Sequence, residues 1–124
     1  MQYAMLVYFN ELEFTSLPMQ EQVRLHNACA DWHDQLVKTG RSAGCMRLQP
    51  ATTATTLREP DGRIVLTDGP FAETKEILGG LVTLECRDLD EAINLARTFP
   101  TLPAGFSLEL RPVMPNGGHR INAT

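Results

Sequence analysis

The order of segments along the chain predicts an α+β fold of the ferredoxin-like, split β-α-β kind. An antiparallel sheet carries two helices on one face, and a β-hairpin is inserted before a central strand. Three observations predict it. Two stretches place apolar residues at helical spacing, short apolar or alternating runs flank each of them, and a Pro- and Gly-containing turn interrupts the middle. The resulting order is β, α, β, hairpin, β, α, β, without an internal repeat or a linker. A length of 124 residues, 43% of them apolar, suits one domain with one modest core. The domain is expected over residues 1–113, with 114–124 as a flexible C-terminal tail.

Met1 to Phe9 is short, apolar and followed by a polar run, the signature of a strand buried on at least one face. Leu25, Cys29, Trp32 and Leu36 fall at i, i+4, i+7 and i+11, one face of a helix expected from about Pro18 to Thr39, with Gly40 as its stop. Pro18 suits the first turn, where its missing N–H has no intrahelical partner, and Glu21 complements the positive end of the helix dipole. Ala43 to Gln49 reads as a second strand. Thr52 to Arg58 and Arg63 to Thr67 read as a hairpin closed by Glu59-Pro60-Asp61-Gly62, a type I turn with an adjoining bulge. Ile77 to Cys86 is the central strand, bent or closely approached at Gly79-Gly80. Asp88 to Glu91 has capping-box spacing, with Asp88 taking the N3 N–H and Glu91 reaching back. The helix that follows turns Leu89, Ala92, Ile93, Ala96 and Phe99 inward and is stopped by Pro100 and Pro103. Phe106, Leu108 and Leu110 alternate with polar residues, as in a strand with one buried face. Two helices cover only one face of such a sheet. The first strand is apolar on both parities, Met5 and Val7 against Ala4, Leu6 and Tyr8, so a homodimer packed through the sheet faces is expected.

Composition excludes several functions. Eleven Lys and Arg against fifteen Asp and Glu give a net charge of -4, and the basic residues are scattered singly, so no stripe follows a phosphate backbone and no nucleic-acid partner is expected. The apolar runs Ala4 to Phe9 and Ile77 to Val82 fall far below the roughly 18 residues a membrane helix needs. With the first basic residue at Arg24, no signal peptide is expected either, which points to a soluble cytoplasmic protein without a membrane partner. Cys29, Cys45 and Cys86 form no C-x-x-C pair, which argues against a disulfide framework and a thiolate zinc site and suggests buried thiols. No dinucleotide, P-loop or common hydrolase motif is present, and no cofactor is expected.

One segment is more specific. Thr67-Asp68-Gly69-Pro70-Phe71-Ala72-Glu73-Thr74-Lys75-Glu76, followed by Gly79-Gly80, resembles the DGPF group of YCII-related proteins. The opening Met1-Gln2-Tyr3-Ala4-Met5-Leu6-Val7-Tyr8, then Leu48-Gln49-Pro50, then the closing Glu109-Leu110-Arg111-Pro112 extend the resemblance over nearly the whole chain. It implies a dimeric α+β barrel made of two ferredoxin-like subunits. About function it implies less: some relatives lie beside or are fused to extracytoplasmic-function sigma factors, and one YCII relative is a dehydrochlorinase with a His and Asp pair. The YCII-type His lies on the first helix, where His26 is the nearest candidate.

The residues themselves leave alternatives open. Asp68 before Gly69-Pro70 either starts a turn, its carboxylate accepting nearby N–H groups, or stands as a site carboxylate beside a cleft roofed by the first helix. His26 and His33, seven residues apart, share one side of that helix at the border of its apolar stripe, either as surface groups or as proton carriers. Their separation, roughly 10.5 Å along the axis, argues against a shared metal, and none is expected. Of nine Arg residues, Arg47, Arg58 and Arg111 fall on expected strands, either as ion-pair residues or as clamps for an acid group. Phe71 is either a core plug or a ligand platform. Glu73, Lys75 and Glu76 read as solvated surface, with Lys75 able to attract an anion, and His119 as solvated tail. The candidate catalytic residues are therefore Asp68, His26 and His33, and the candidate substrate-binding residues Arg47, Trp32 and Phe71. Two functions compete. One is a cofactor-independent acid-base enzyme or binding protein, of elimination or isomerisation type, for a small acidic or phenolic ligand. The other is a noncatalytic accessory or regulatory dimer.

Overall fold

The structure, a computed structural model, describes residues 1–122. Its main sheet has four antiparallel strands in the order β2-β5-β1-β6, built from β1 (Gln2–Phe9), β2 (Gly44–Arg47), β5 (Ile77–Glu85) and β6 (Ser107–Pro112). With the inserted hairpin of β3 (Thr55–Arg58) and β4 (Val65–Asp68) set aside, this is the ferredoxin-like strand order. The helices are α1 (Glu11–Thr15), α2 (Met19–Lys38) and α3 (Leu89–Ala96).

The expected α2 is present, with Pro18 as its N-cap rather than its first helical residue. Gly40, at φ +73°, ends it: its N–H bonds Val37 O, and Arg41 N–H bonds Leu36 O, so the last carbonyls are satisfied where only glycine adopts the left-handed turn cheaply. α1 is not among the expected elements. Asn10 caps it by accepting from Glu13 N at 3.1 Å, and its one turn drops Phe14 into the interior. The hairpin starts later than expected because residues 51–53 form a 3-10 turn, Ala51 N–H donating to the Glu11 carboxylate at 3.2 Å. Asp88 caps α3 as expected, accepting from Glu91 N at 3.0 Å. Glu91 does not reach back. Its carboxylate meets Arg87 at 2.6 Å and Arg41 at 3.7 Å, cationic donors that outcompete a neutral N–H. Leu89, expected inward, is 48% exposed at the helix start, and Phe99 is buried just beyond the helix end. Residues 115–118 form a further 3-10 turn. The last two residues of the expected flexible tail, 123–124, lie outside the described residues.

The register sorts the faces. Met5 sits between Val82 and Leu110, and Tyr3 beside Leu84, on the face covered by α2 and α3. Met5 and Leu84 are fully buried, each worth about 1.5–3 kcal/mol relative to exposure. The opposite face runs Met46, Leu81, Leu6 across three strands to Glu109, with Ala4 and Tyr8 beside them and, among the described residues, no helix above. Among the described residues no helix is long and apolar enough to cross a membrane.

The glycine pair explains a local irregularity. Between Val7 paired with Gly80 and Tyr8 paired with Leu78, the register shifts and leaves Gly79 bulged. The Phe9 ring lies where a Gly79 side chain would be, a Cβ there falling 2.3 Å from Phe9 Cε1. Gly80 lies in the row between Arg47 and Val7 on the helix-covered face, and having no side chain it leaves the sheet floor hollow there.

Candidate functional site

That hollow opens into a cavity of about 260 Å³ between α2 and the sheet. One end is aromatic: Phe9 stacks on Phe106 with centroids 5.0 Å apart, and Phe14 meets both edge-on. Trp32 packs edge-on against Phe99 at 5.0 Å, its Nε1–H donating to Thr98 Oγ1 at 2.8 Å. The apolar wall receives few polar groups, and they come from two directions. α2 contributes His26, Cys29, His33 and Asp34, while β2 contributes Cys45 and Arg47, two residues apart and on the same face.

Arg47 lies within contact of His26, its Nη1 against His26 Nδ1, and over the Phe14 ring at 5.8 Å. A guanidinium can only donate, so Nδ1 is the accepting side of this pair. His33 is oriented differently. Its Nε2 lies 2.9 Å from Ser42 Oγ and its Nδ1 3.5 Å from Cys45 Sγ. Ser42 is buried and tied to Gly44 on both sides, donating to Gly44 O and accepting from Gly44 N, each at 3.2 Å. Its one proton is committed to that carbonyl. Ser42 Oγ therefore accepts from His33 Nε2–H, and the Nδ1 lone pair faces the thiol.

Cys29 has a further lining residue, Thr101, beside it. Burial pushes the Cys29 thiol up, opposed by the Thr101 hydroxyl and the Arg47 charge. Thr101 is 2% exposed, and its Oγ1 has no hydrogen-bond partner beyond the Cys29 thiol, a weak one. Among the described residues no three His, Cys, Asp or Glu side chains gather as metal ligands would.

Four of the six expected site residues, His26, His33, Arg47 and Trp32, thus share this cavity. Asp68 does not join them. It is exposed at the end of β4 and lines a separate hollow of 590 Å³ with Glu11, Glu73 and Lys75, none of whose walls holds a histidine. Its carboxylate makes no hydrogen bond among the described residues, so it neither orients an imidazole nor ties a turn. The turn is held instead by Gly69, which donates to Ala54 O at 2.8 Å and accepts from Thr56 Oγ1 at 2.9 Å. Phe71 is not a core plug. It is 75% exposed, with Arg58 over its ring at 5.5 Å, because the hairpin carries it away from the core. Arg111 pairs with Glu109 on the open face, leaving Arg47 as the strand arginine at the cavity. Cys45, expected buried, is exposed in the single chain, whereas Cys86 is buried and Cys29 half-buried. Sequence reasoning missed Cys45 and Thr101 as cavity groups and Ser42 as the partner of His33. Only the helical spacing of Cys29 with His26 and His33 signalled part of the set.

The fold and cavity define a ferredoxin-like protein with a small-molecule-sized hollow between its helix layer and its sheet. Residues 1–116 match the YCII-related domain, and the chain belongs to that family. It is also similar to an uncharacterised protein of Rhizobium meliloti (strain 1021), at 37% identity over 114 residues, covering 91% of this chain and 92% of the relative.

Proposed function

We propose that the cavity beneath α2 binds a small, largely apolar anion, a phenolate or carboxylate, and moves a proton on it without a cofactor. Elimination or isomerisation is the type of reaction this favours. The observation that carries the reading is the convergence of Arg47 and His26 at the mouth of an aromatic-lined cavity. The fork of Arg47 suits an oxyanion, and a bound oxyanion that draws that fork away leaves the His26 Nδ1 lone pair to take a proton and return it. His33 has both ring nitrogens engaged by Ser42 and Cys45, so the proton-moving role falls to His26. Asp68, in its own hollow, has no part in this step.

We also propose that the working unit is a homodimer joined through the open sheet face. The row Met46, Leu81, Leu6 with Leu78 and Tyr8 is an apolar patch rimmed by Glu109 and Arg111, and Met46 is 61% exposed in the single chain.

Trp32 is the chain's only tryptophan and lines the cavity, so its fluorescence reports occupancy. Titration with 4-hydroxybenzoate is expected to give a saturable change. Arg47→Met should weaken binding by about 10-fold or more, the loss of a charge-assisted hydrogen bond worth about 1.5–3 kcal/mol. Asp68→Asn should leave it unaltered. A saturable signal that survives Arg47→Met and vanishes in Asp68→Asn contradicts the reading.

A further inference from the structure

The Cys45, His33 and Ser42 chain serves no purpose in proton transfer by His26. Its geometry is that of an activated nucleophile: a thiol beside an imidazole whose other nitrogen is held by a third group. The thiol is exposed, on the cavity wall, and two residues along β2 from Arg47 on the same sheet face. The Thr101 hydroxyl, buried with only the weak Cys29 thiol beside it, belongs to the lining of the same cavity.

We propose that Cys45, with His33 as its base, forms a covalent adduct with a conjugated carbonyl compound, an enone or quinone, held in this cavity. The thiol proton passes to His33 Nδ1, and Sγ bonds the β-carbon of the conjugated system. The C=C electron pair shifts to give an enolate whose oxygen is stabilised by Arg47. The His33 imidazolium then returns the proton to the α-carbon, and the carbonyl re-forms. The sum is addition of S–H across the double bond, with no oxidant, reductant or co-reactant. Acyl transfer fits less well, because it needs a set of N–H donors around a tetrahedral oxyanion. A flat conjugated ring suits the aromatic walls, and with side chains at i and i+2 on a strand, about 6.6 Å apart, its oxygen reaches Arg47 while its electrophilic carbon meets Cys45. The proposal shares Arg47 with the proton-transfer reading but takes a different base and a nucleophile of its own, and the His33 arm of its test needs no bound anion.

The test is alkylation of the full chain at pH 7 with N-ethylmaleimide, a conjugated imide, and with iodoacetamide, which reacts by displacement and forms no enolate. Intact mass and peptide mapping follow each thiol. Cys45 is expected to be modified first, ahead of Cys29 and Cys86. His33→Gln, or His33→Asn should the first variant fail to fold, should slow both reagents at pH 7 by at least ~10-fold, with rates converging near pH 10 where a free thiol ionises unaided. Arg47→Met should slow N-ethylmaleimide several-fold more than iodoacetamide. Equal wild-type and His33-variant rates at pH 7 would overturn the base role. An Arg47→Met loss equal for both reagents would overturn the enolate role.

Discussion

Gly79→Ala tests how tightly the aromatic end of the cavity is closed. A Cβ at position 79 falls 2.3 Å from Phe9 Cε1 and 2.7 Å from Cδ1, so the ring must retreat by about 1.1 Å to reach ordinary contact at 3.4 Å. That ring is stacked on Phe106 and edge-on to Phe14, which limits its freedom. Overpacking of this kind costs about 1–3 kcal/mol. The backbone at 79 is not left-handed, so alanine also reduces the entropy of the unfolded chain and returns about 0.4–1 kcal/mol. The net expectation is a loss of about 0–2.6 kcal/mol, read as a lower urea midpoint at constant m. In a Phe9→Ala background the clash is gone, and Gly79→Ala should be neutral or stabilising, giving a coupling energy of about 1–3 kcal/mol in the double-mutant cycle. Gly44→Ala is the control, since its Cβ meets nothing within 4 Å and should stabilise slightly. The same cost for Gly79→Ala in both backgrounds would refute the reasoning. The displaced ring also lines the cavity, so the single variant should bind 4-hydroxybenzoate more weakly.

Three other perturbations follow from the packing. Asp88→Ala should cost about 1 kcal/mol by removing the α3 cap, whereas Glu91→Gln should cost less, its partners Arg87 and Arg41 being largely exposed; urea midpoints compare the two. Burial raises the Cys29 and Cys86 thiols, so the folded state holds those protons more tightly than the unfolded chain. Their contribution to stability is complete below the ordinary thiol pKa of about 8.5 and is lost as pH rises through the raised values, so the fall in urea midpoint from pH 8 to pH 10 should be shallower in a Cys29→Ala, Cys86→Ala variant. Leu81→Arg places a charge at the centre of the open sheet face and, for the dimer proposed there, should shift the sedimentation profile to monomer without loss of fold by circular dichroism.

The parts of the fold legible in sequence are those whose signals are local. The Leu25, Cys29, Trp32, Leu36 face, the Gly40 stop, the Asp88 cap and the glycine pair each state their structure within a few residues. α1 escaped because five residues cannot display a 3.6-residue period, although Asn10 with Glu13 three positions on is a cap signal. Glu91 misled because spacing shows where a carboxylate could reach but not that Arg41, fifty positions earlier, competes for it. The site divides the same way. His26 and His33 lie on one helix, so their common side was readable. That β2 sets Arg47 against one and Cys45 against the other depends on strand placement across the sheet. Asp68, close to the glycine pair in sequence, is carried by the hairpin into another hollow.

The most direct test of the binding site is a crystal structure of the protein soaked with 4-hydroxybenzoate. The probe is expected between α2 and the sheet, its carboxylate on Arg47 and its ring against Phe14. A probe seated instead in the hollow of Asp68 and Lys75, with the α2 cavity empty, would contradict it.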